Sequence, residues 1–107
     1  MAERLEGAAK LPCGELQRFE IGGVPICVAH VEPGRYLAVS DICSHEDQSL
    51  SEGWLTGCEI ECPRHNAIFS LETGEPLSLP AEESIATFRV EVDGDDLIVA
   101  MQDGEAG

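Results

Sequence analysis

Two short pairs of soft ligands stand out along the chain, Cys43-Ser44-His45 and Cys62-Pro63-Arg64-His65. In each pair one thiol and one imidazole sit close enough in a tight loop to converge on a single metal centre. Sixteen residues separate His45 from Cys62. Two such loops facing each other supply two sulfur and two nitrogen donors. That set suits a tetrahedral zinc ion, or an iron–sulfur cluster in which two histidines replace two cysteines on one iron. A single pair is readily a chance neighbour of Cys and His. Two pairs at this separation, in a stretch punctuated by Gly and Pro, point to a bound group.

The other reactive residues form no comparable set. The five cysteines lack the C-x4-C-x2-C spacing of plant-type clusters. Cys27 lies in an apolar run and reads as a buried structural thiol. Cys58, four residues before Cys62, reads as a loop thiol, and Cys13 follows Pro12 in an exposed turn. His30 ends a strand pattern and reads as structural. Trp54, the one tryptophan, is expected to pack the ligand loops. Glu46, Asp47, Glu52, Glu59 and Glu61 crowd those loops, either as a solvated face or as a guide for a basic partner. No nucleophile is paired with a base, and no phosphate loop or nucleotide fingerprint is present, so no catalytic constellation stands apart from the two pairs.

The elements that must position the two pairs are strands. Leu16 to Ile21 alternates, Gly22-Gly23 makes a two-residue turn, and Val24 to Val31 continues as a mostly apolar strand. Glu32-Pro33-Gly34 turns the chain into a short strand from Tyr36 to Val39. Thr87 to Val92 and Leu97 to Met101 flank Asp93-Gly94-Asp95 as a terminal hairpin. No stretch keeps an apolar face at helical spacing for three turns. The expected class is all-β, an antiparallel sandwich or barrel. Residues 41–81 interrupt it with Gly53, Gly57, Gly74, Pro63, Pro76 and Pro80, and read as a loop-rich insertion that holds something.

The chain has 107 residues, enough for a single domain over 1–107 with one small core. Hydrophobic residues make up 43% and charged residues 25%, an ordinary globular balance without an apolar run of membrane-spanning length. The charge is far from ordinary. Six basic against 21 acidic side chains leave −15. Such a field repels phosphate backbones and anionic lipid, which argues against nucleic-acid or membrane partners. It speeds encounter with a basic protein patch, less so as salt rises. The N-terminal residues show no signal-peptide pattern, and an odd cysteine count suits no secreted disulfide scaffold, so a cytoplasmic location is expected.

The spacing C-x-H-x16-C-x-x-H, here within CSHEDQSLSEGWLTGCEIECPRHNAIF, resembles the signature of Rieske-type 2Fe–2S ferredoxins. Leu50 and Gly53 after the first pair match too, as do Phe69, Thr73-Gly74 and Pro80-Ala81 after the second. The resemblance runs the length of the chain. It implies a Rieske-type antiparallel β-sandwich with an inserted cluster-binding subdomain and one 2Fe–2S cluster per chain. One iron would be held by Cys43 and Cys62, the other by His45 and His65. Replacing two anionic thiolates by neutral imidazoles removes two negative charges, so adding an electron becomes easier. The potential then lies between roughly −150 and +300 mV, against about −400 mV for plant-type clusters.

High-potential respiratory members carry an extra cysteine in each ligand loop, joined as a disulfide. The matching positions here are Gln48 and Arg64. Their hydroxyl donor after the second histidine is replaced by Ala67. With both potential-raising features missing and the protein anionic, the potential is expected near about −150 mV. Asn66 replaces the usual glycine after His65, and Asn tolerates the left-handed backbone next best. Pro80 matches a proline loop that covers one side of the cluster in the family.

The resemblance further implies a place in a bacterial aromatic ring-hydroxylating dioxygenase system. The chain would take one electron from a flavin-containing NAD(P)H-dependent ferredoxin reductase and pass it to a terminal oxygenase. His45 and His65, nearest the surface, would be the exit. A monomer is expected of such a shuttle. Two other readings remain at this point, the small subunit of an assimilatory nitrite reductase and a zinc-stabilised acidic interaction module. Many of the former lack the four ligands, and zinc ribbons usually use C-x-x-C knuckles.

Overall fold

The computed structural model describes residues 2–41, 49–62, 68–77 and 84–101. Nine strands are present among them: β1 (Ala2–Leu5), β2 (Leu16–Ile21), β3 (Val24–Glu32), β4 (Arg35–Ser40), β5 (Trp54–Thr56), β6 (Glu59–Glu61), β7 (Ile68–Ser70), β8 (Thr87–Asp93) and β9 (Asp96–Met101). Single 3-10 turns lie at Ala8–Lys10 and Leu50–Glu52. No described helix is long and apolar enough to cross a membrane. The all-β antiparallel expectation holds, with six strands in one sheet in the order β1-β9-β8-β4-β3-β2 and three in another, β5-β6-β7.

The apolar run of β3 is explained by what covers it. Ile26 and Val28 enter one core with Leu5, Ala8, Leu11, Ala38, Phe88, Leu97 and Val99. Cys27 and Ala29, pointing the other way, enter a second core with Val39, Leu50, Ile60, Cys62, Phe69, Leu71 and Ile85. Both faces of one strand are therefore buried, and the polar half of the usual alternation is absent. The Gly22-Gly23 turn pairs Ile21 with Val24, both glycines at positive φ (57° and 83°), as a two-residue hairpin needs. In the terminal hairpin Asp93 pairs with Asp96, so Gly94 and Asp95 alone form the turn.

Two regions depart from the sequence expectation. The stretch read as loop-rich contains its own sheet. Leu55, Ile60 and Phe69 sit opposite one another across β5, β6 and β7 and turn inward to the second core. Strands of three residues are too short for alternation to register, which is why the sequence reads as loop. The N-terminus also forms an unanticipated strand: β1 pairs with β9 from Ala2↔Ala100 to Leu5↔Leu97. Only Leu5 of its four residues is buried, so no pattern announces it.

Candidate functional site

Of the four ligand candidates, Cys62 lies among the described residues; Cys43, His45 and His65 lie outside them. Cys62 directly follows β6, is 1% exposed, and is not in a disulfide. Its neighbours in the core are apolar: Leu50, Ile60, Phe69, Leu71 and Ile85. A soft sulfur donor in a water-excluding wall fits one end of an iron–sulfur cluster.

The frame on which those loops stand is well defined. Residues 63–67 join β6 to β7, and the pairing Glu61↔Ile68 closes the base of that hairpin. Residues 42–48 leave Asp41, just after β4, and return at Ser49, ahead of the Leu50–Glu52 turn. Residues 78–83 leave Leu77, whose N–H donates to the Ile68 carbonyl at 2.6 Å. The first span thus leaves the large sheet, and the other two leave the small sheet and the segment that follows it.

Gly74 locks that frame. Its φ is +79°, and a Cβ placed there would stand 2.1 Å from the Ile85 carbonyl oxygen. Ile85 N–H donates to the Gly74 carbonyl at 2.8 Å, bracing the turn after β7 against the approach to β8. The Ser70 hydroxyl accepts from the Glu72 and Thr73 amides at 3.2 and 3.3 Å, tightening the same turn.

Two charged residues matter here that sequence reasoning did not single out. Arg35 on β4 donates to Glu32 at 3.2 Å, to Glu72, and to the Cys58 sulfur at 3.5 Å, tying the large sheet to the small one. Those carboxylates hold the guanidinium pKa above its ordinary value. Asp41 is fully buried, and its Oδ1 accepts the Ser51 N–H at 2.8 Å. The available signal was an acid directly after an apolar strand and two residues before Cys43.

Cys13 is exposed and Cys27 buried, as read from the sequence. Cys58 is half-buried in the β5–β6 turn. His30 is structural: its Nδ1 lies 2.6 Å from the Leu11 carbonyl and its ring stacks on Tyr36 at 4.1 Å. Trp54 is a correction. It is 55% exposed, because β5 alternates and turns Leu55 inward, which leaves Trp54 and Thr56 outward. Glu52 and Glu59 are exposed; Glu46, Asp47, Gln48, Arg64, Asn66, Ala67 and Pro80 fall outside the described residues.

Residues 4–89 match the family described as the Rieske [2Fe-2S] domain. The chain belongs to that family, whose cofactor is the 2Fe–2S cluster. It is 44% identical over 91 residues to the ferredoxin component of biphenyl 2,3-dioxygenase from Rhodococcus jostii (strain RHA1), covering 85% of this chain and 84% of the relative. The ferredoxin of carbazole 1,9a-dioxygenase from Nocardioides aromaticivorans IC177 superposes with a TM-score of 0.88 at 30% identity, over 95% of this chain and 99% of that one. A chain in the complex of reduced oxygenase and oxidized ferredoxin in carbazole 1,9a-dioxygenase superposes at 0.84 with 35% identity, over 92% of each.

Proposed function

We propose that this protein is the one-electron carrier of an aromatic ring-hydroxylating dioxygenase system. The single observation that carries the reading is the 44% identity to a dioxygenase ferredoxin component over 85% of the chain. Cys43 and Cys62 would hold one iron of the 2Fe–2S cluster, and His45 and His65 the other. The cluster, when bound, supplies a site that gains and loses one electron near the low end of the Rieske range.

The chain's own residues do the rest. The apolar wall of Leu50, Ile60, Phe69 and Leu71 excludes water from the Cys62 side. The β6–β7 pairing fixes the two ends of the span 63–67, with Cys62 directly after β6. Residues 41–81 act as a cluster-holding insertion in a single domain. A flavin-containing ferredoxin reductase would be the electron donor and a terminal oxygenase the acceptor. Exposed acids such as Glu52 and Glu59 belong to a strongly anionic chain that attracts basic partner surfaces. We assign a monomeric, cytoplasmic carrier.

Electron paramagnetic resonance on dithionite-reduced protein, with iron and zinc quantified in the same sample, tests this. Two irons per chain and a rhombic signal with average g below that of all-cysteine clusters are expected. One zinc per chain and no signal would replace the carrier with a zinc-stabilised interaction module.

A further inference from the structure

Asp41 makes polar contacts that converge on the base of the first ligand loop. Its N–H donates to the Pro25 carbonyl at 3.1 Å, which ties it to the start of β3. Its carbonyl accepts the Leu50 N–H at 2.7 Å, and its Oδ1 accepts the Ser51 N–H at 2.8 Å. The residue that opens the span 42–49 therefore also closes it. It takes the first two amides of the Leu50–Glu52 turn, where Ser49 makes no side-chain cap of its own.

Burying a carboxylate is costly unless it is paired and hydrogen-bonded. Asp41 has no exposed surface. Arg18 on β2 supplies the counter-charge, with Nε 3.3 Å from Oδ2, although that contact is not aligned as a hydrogen bond. The charge strengthens the bond at Oδ1, since an ionised acceptor holds an amide more firmly than a neutral one. Interior packing alone would be served as well by an apolar side chain. What an apolar side chain could not do is accept the Ser51 N–H, the side-chain bond that reinforces the backbone bond from Leu50 across the base of 42–49.

We propose that Asp41 is a positioning residue of the metal centre: by clamping the base of 42–49 it presents Cys43 and His45 together to one cluster. The inference rests on the ligand assignment above. Residues that orient ligands without touching the metal typically change its retention by about 10- to 100-fold.

The test compares holoprotein of the wild type, Asp41→Ala and Asp41→Asn. Iron release to a chelator is followed well below the unfolding temperature, alongside the resonance spectrum of the reduced cluster. Asp41→Ala is expected to release iron about 10- to 100-fold faster and to show shifted g values. Asp41→Asn keeps an Oδ1 acceptor and is expected to recover most of the retention and the wild-type g values. Wild-type release and spectrum in Asp41→Ala overturn the clamp while leaving the carrier reading intact. Absence of the histidine-ligated signal in the wild type overturns both.

Should Asp41→Ala fail to fold, amide exchange in the unaltered holoprotein decides. A Ser51 amide that is protected in the wild type and stays protected in Asp41→Asn, which keeps an Oδ1 acceptor, supports the clamp. A Ser51 amide that exchanges freely in the wild type overturns it.

Discussion

Cys27 has no exposed surface in β3, and burial, reinforced by the charge of Asp41, pushes its thiol far above the ordinary value of 9.0. The neutral thiol is the form the fold favours. Stability linked to this group is therefore complete at neutral pH and declines as the pH rises past the unfolded thiol's value. Since the thiolate is the reactive species, Cys27 should resist alkylation in the native protein, while exposed Cys13 is modified. Mass-spectrometric mapping before and after unfolding checks this, and rapid native labelling of Cys27 would contradict its placement. Gly74 is the other residue whose identity is dictated locally. Gly74→Ala meets the Ile85 carbonyl and a positive φ together, and should lower stability by about 3 kcal/mol. Denaturant unfolding of the two proteins measures it, and a difference under about 1 kcal/mol would refute the bracing described.

Among the elements, the strands with six or more residues were legible because alternation had room to register. β2, β3, β4, β8 and β9 all lie where apolar periodicity and glycine turns place them. β5, β6 and β7 were not, since three residues carry no period. Nor was β1, which is held largely by pairing and by charge. Arg4 bonds Asp93 at 2.7 Å and Asp96 at 2.8 Å, while Asp96 accepts the Gly7 N–H at 2.8 Å. That amide first, and Arg4 second, hold the Asp96 carboxyl below its usual 3.8. A carboxylate with a depressed folded pKa stabilises fully above the unfolded value, and the contribution is lost as pH falls through the lower folded one. The β1 edge should therefore loosen in acid below about pH 4. Asp96→Asn should flatten that dependence when stability is followed against pH, and an unchanged acid profile would exclude the clip. The candidate site divided in the same way. The proposed ligand set rests on spacing in the sequence, whereas the buried Asp41 gave only one acid among 21.

For the whole molecule, charge and potential are the measurable consequences. With −15 on 107 residues, association with a basic docking face should slow as ionic strength rises, with little change in the dissociation rate. Stopped-flow electron transfer to a terminal oxygenase at several salt concentrations reads this directly, and a salt-independent rate would mean that the acidic surface does not steer. The midpoint potential should lie near about −150 mV, and a value above zero would show that the loops supply hydrogen bonds to sulfur not foreseen from Ala67 and Gln48. The strand shared by the two cores sets a different kind of limit. From Ile26 to His30 every position of β3 is buried, so it has no spare side on which a change of reading frame could be absorbed. Losing or gaining one residue between Gly23 and Ile26 would exchange the sides on which Ile26 and Val28, Cys27 and Ala29 stand. Bulky side chains would then press up beneath Cys62 while holes opened below Phe88. Length variation among descendants of this chain should consequently gather in the turns around Gly34 and Gly57 and spare this strand.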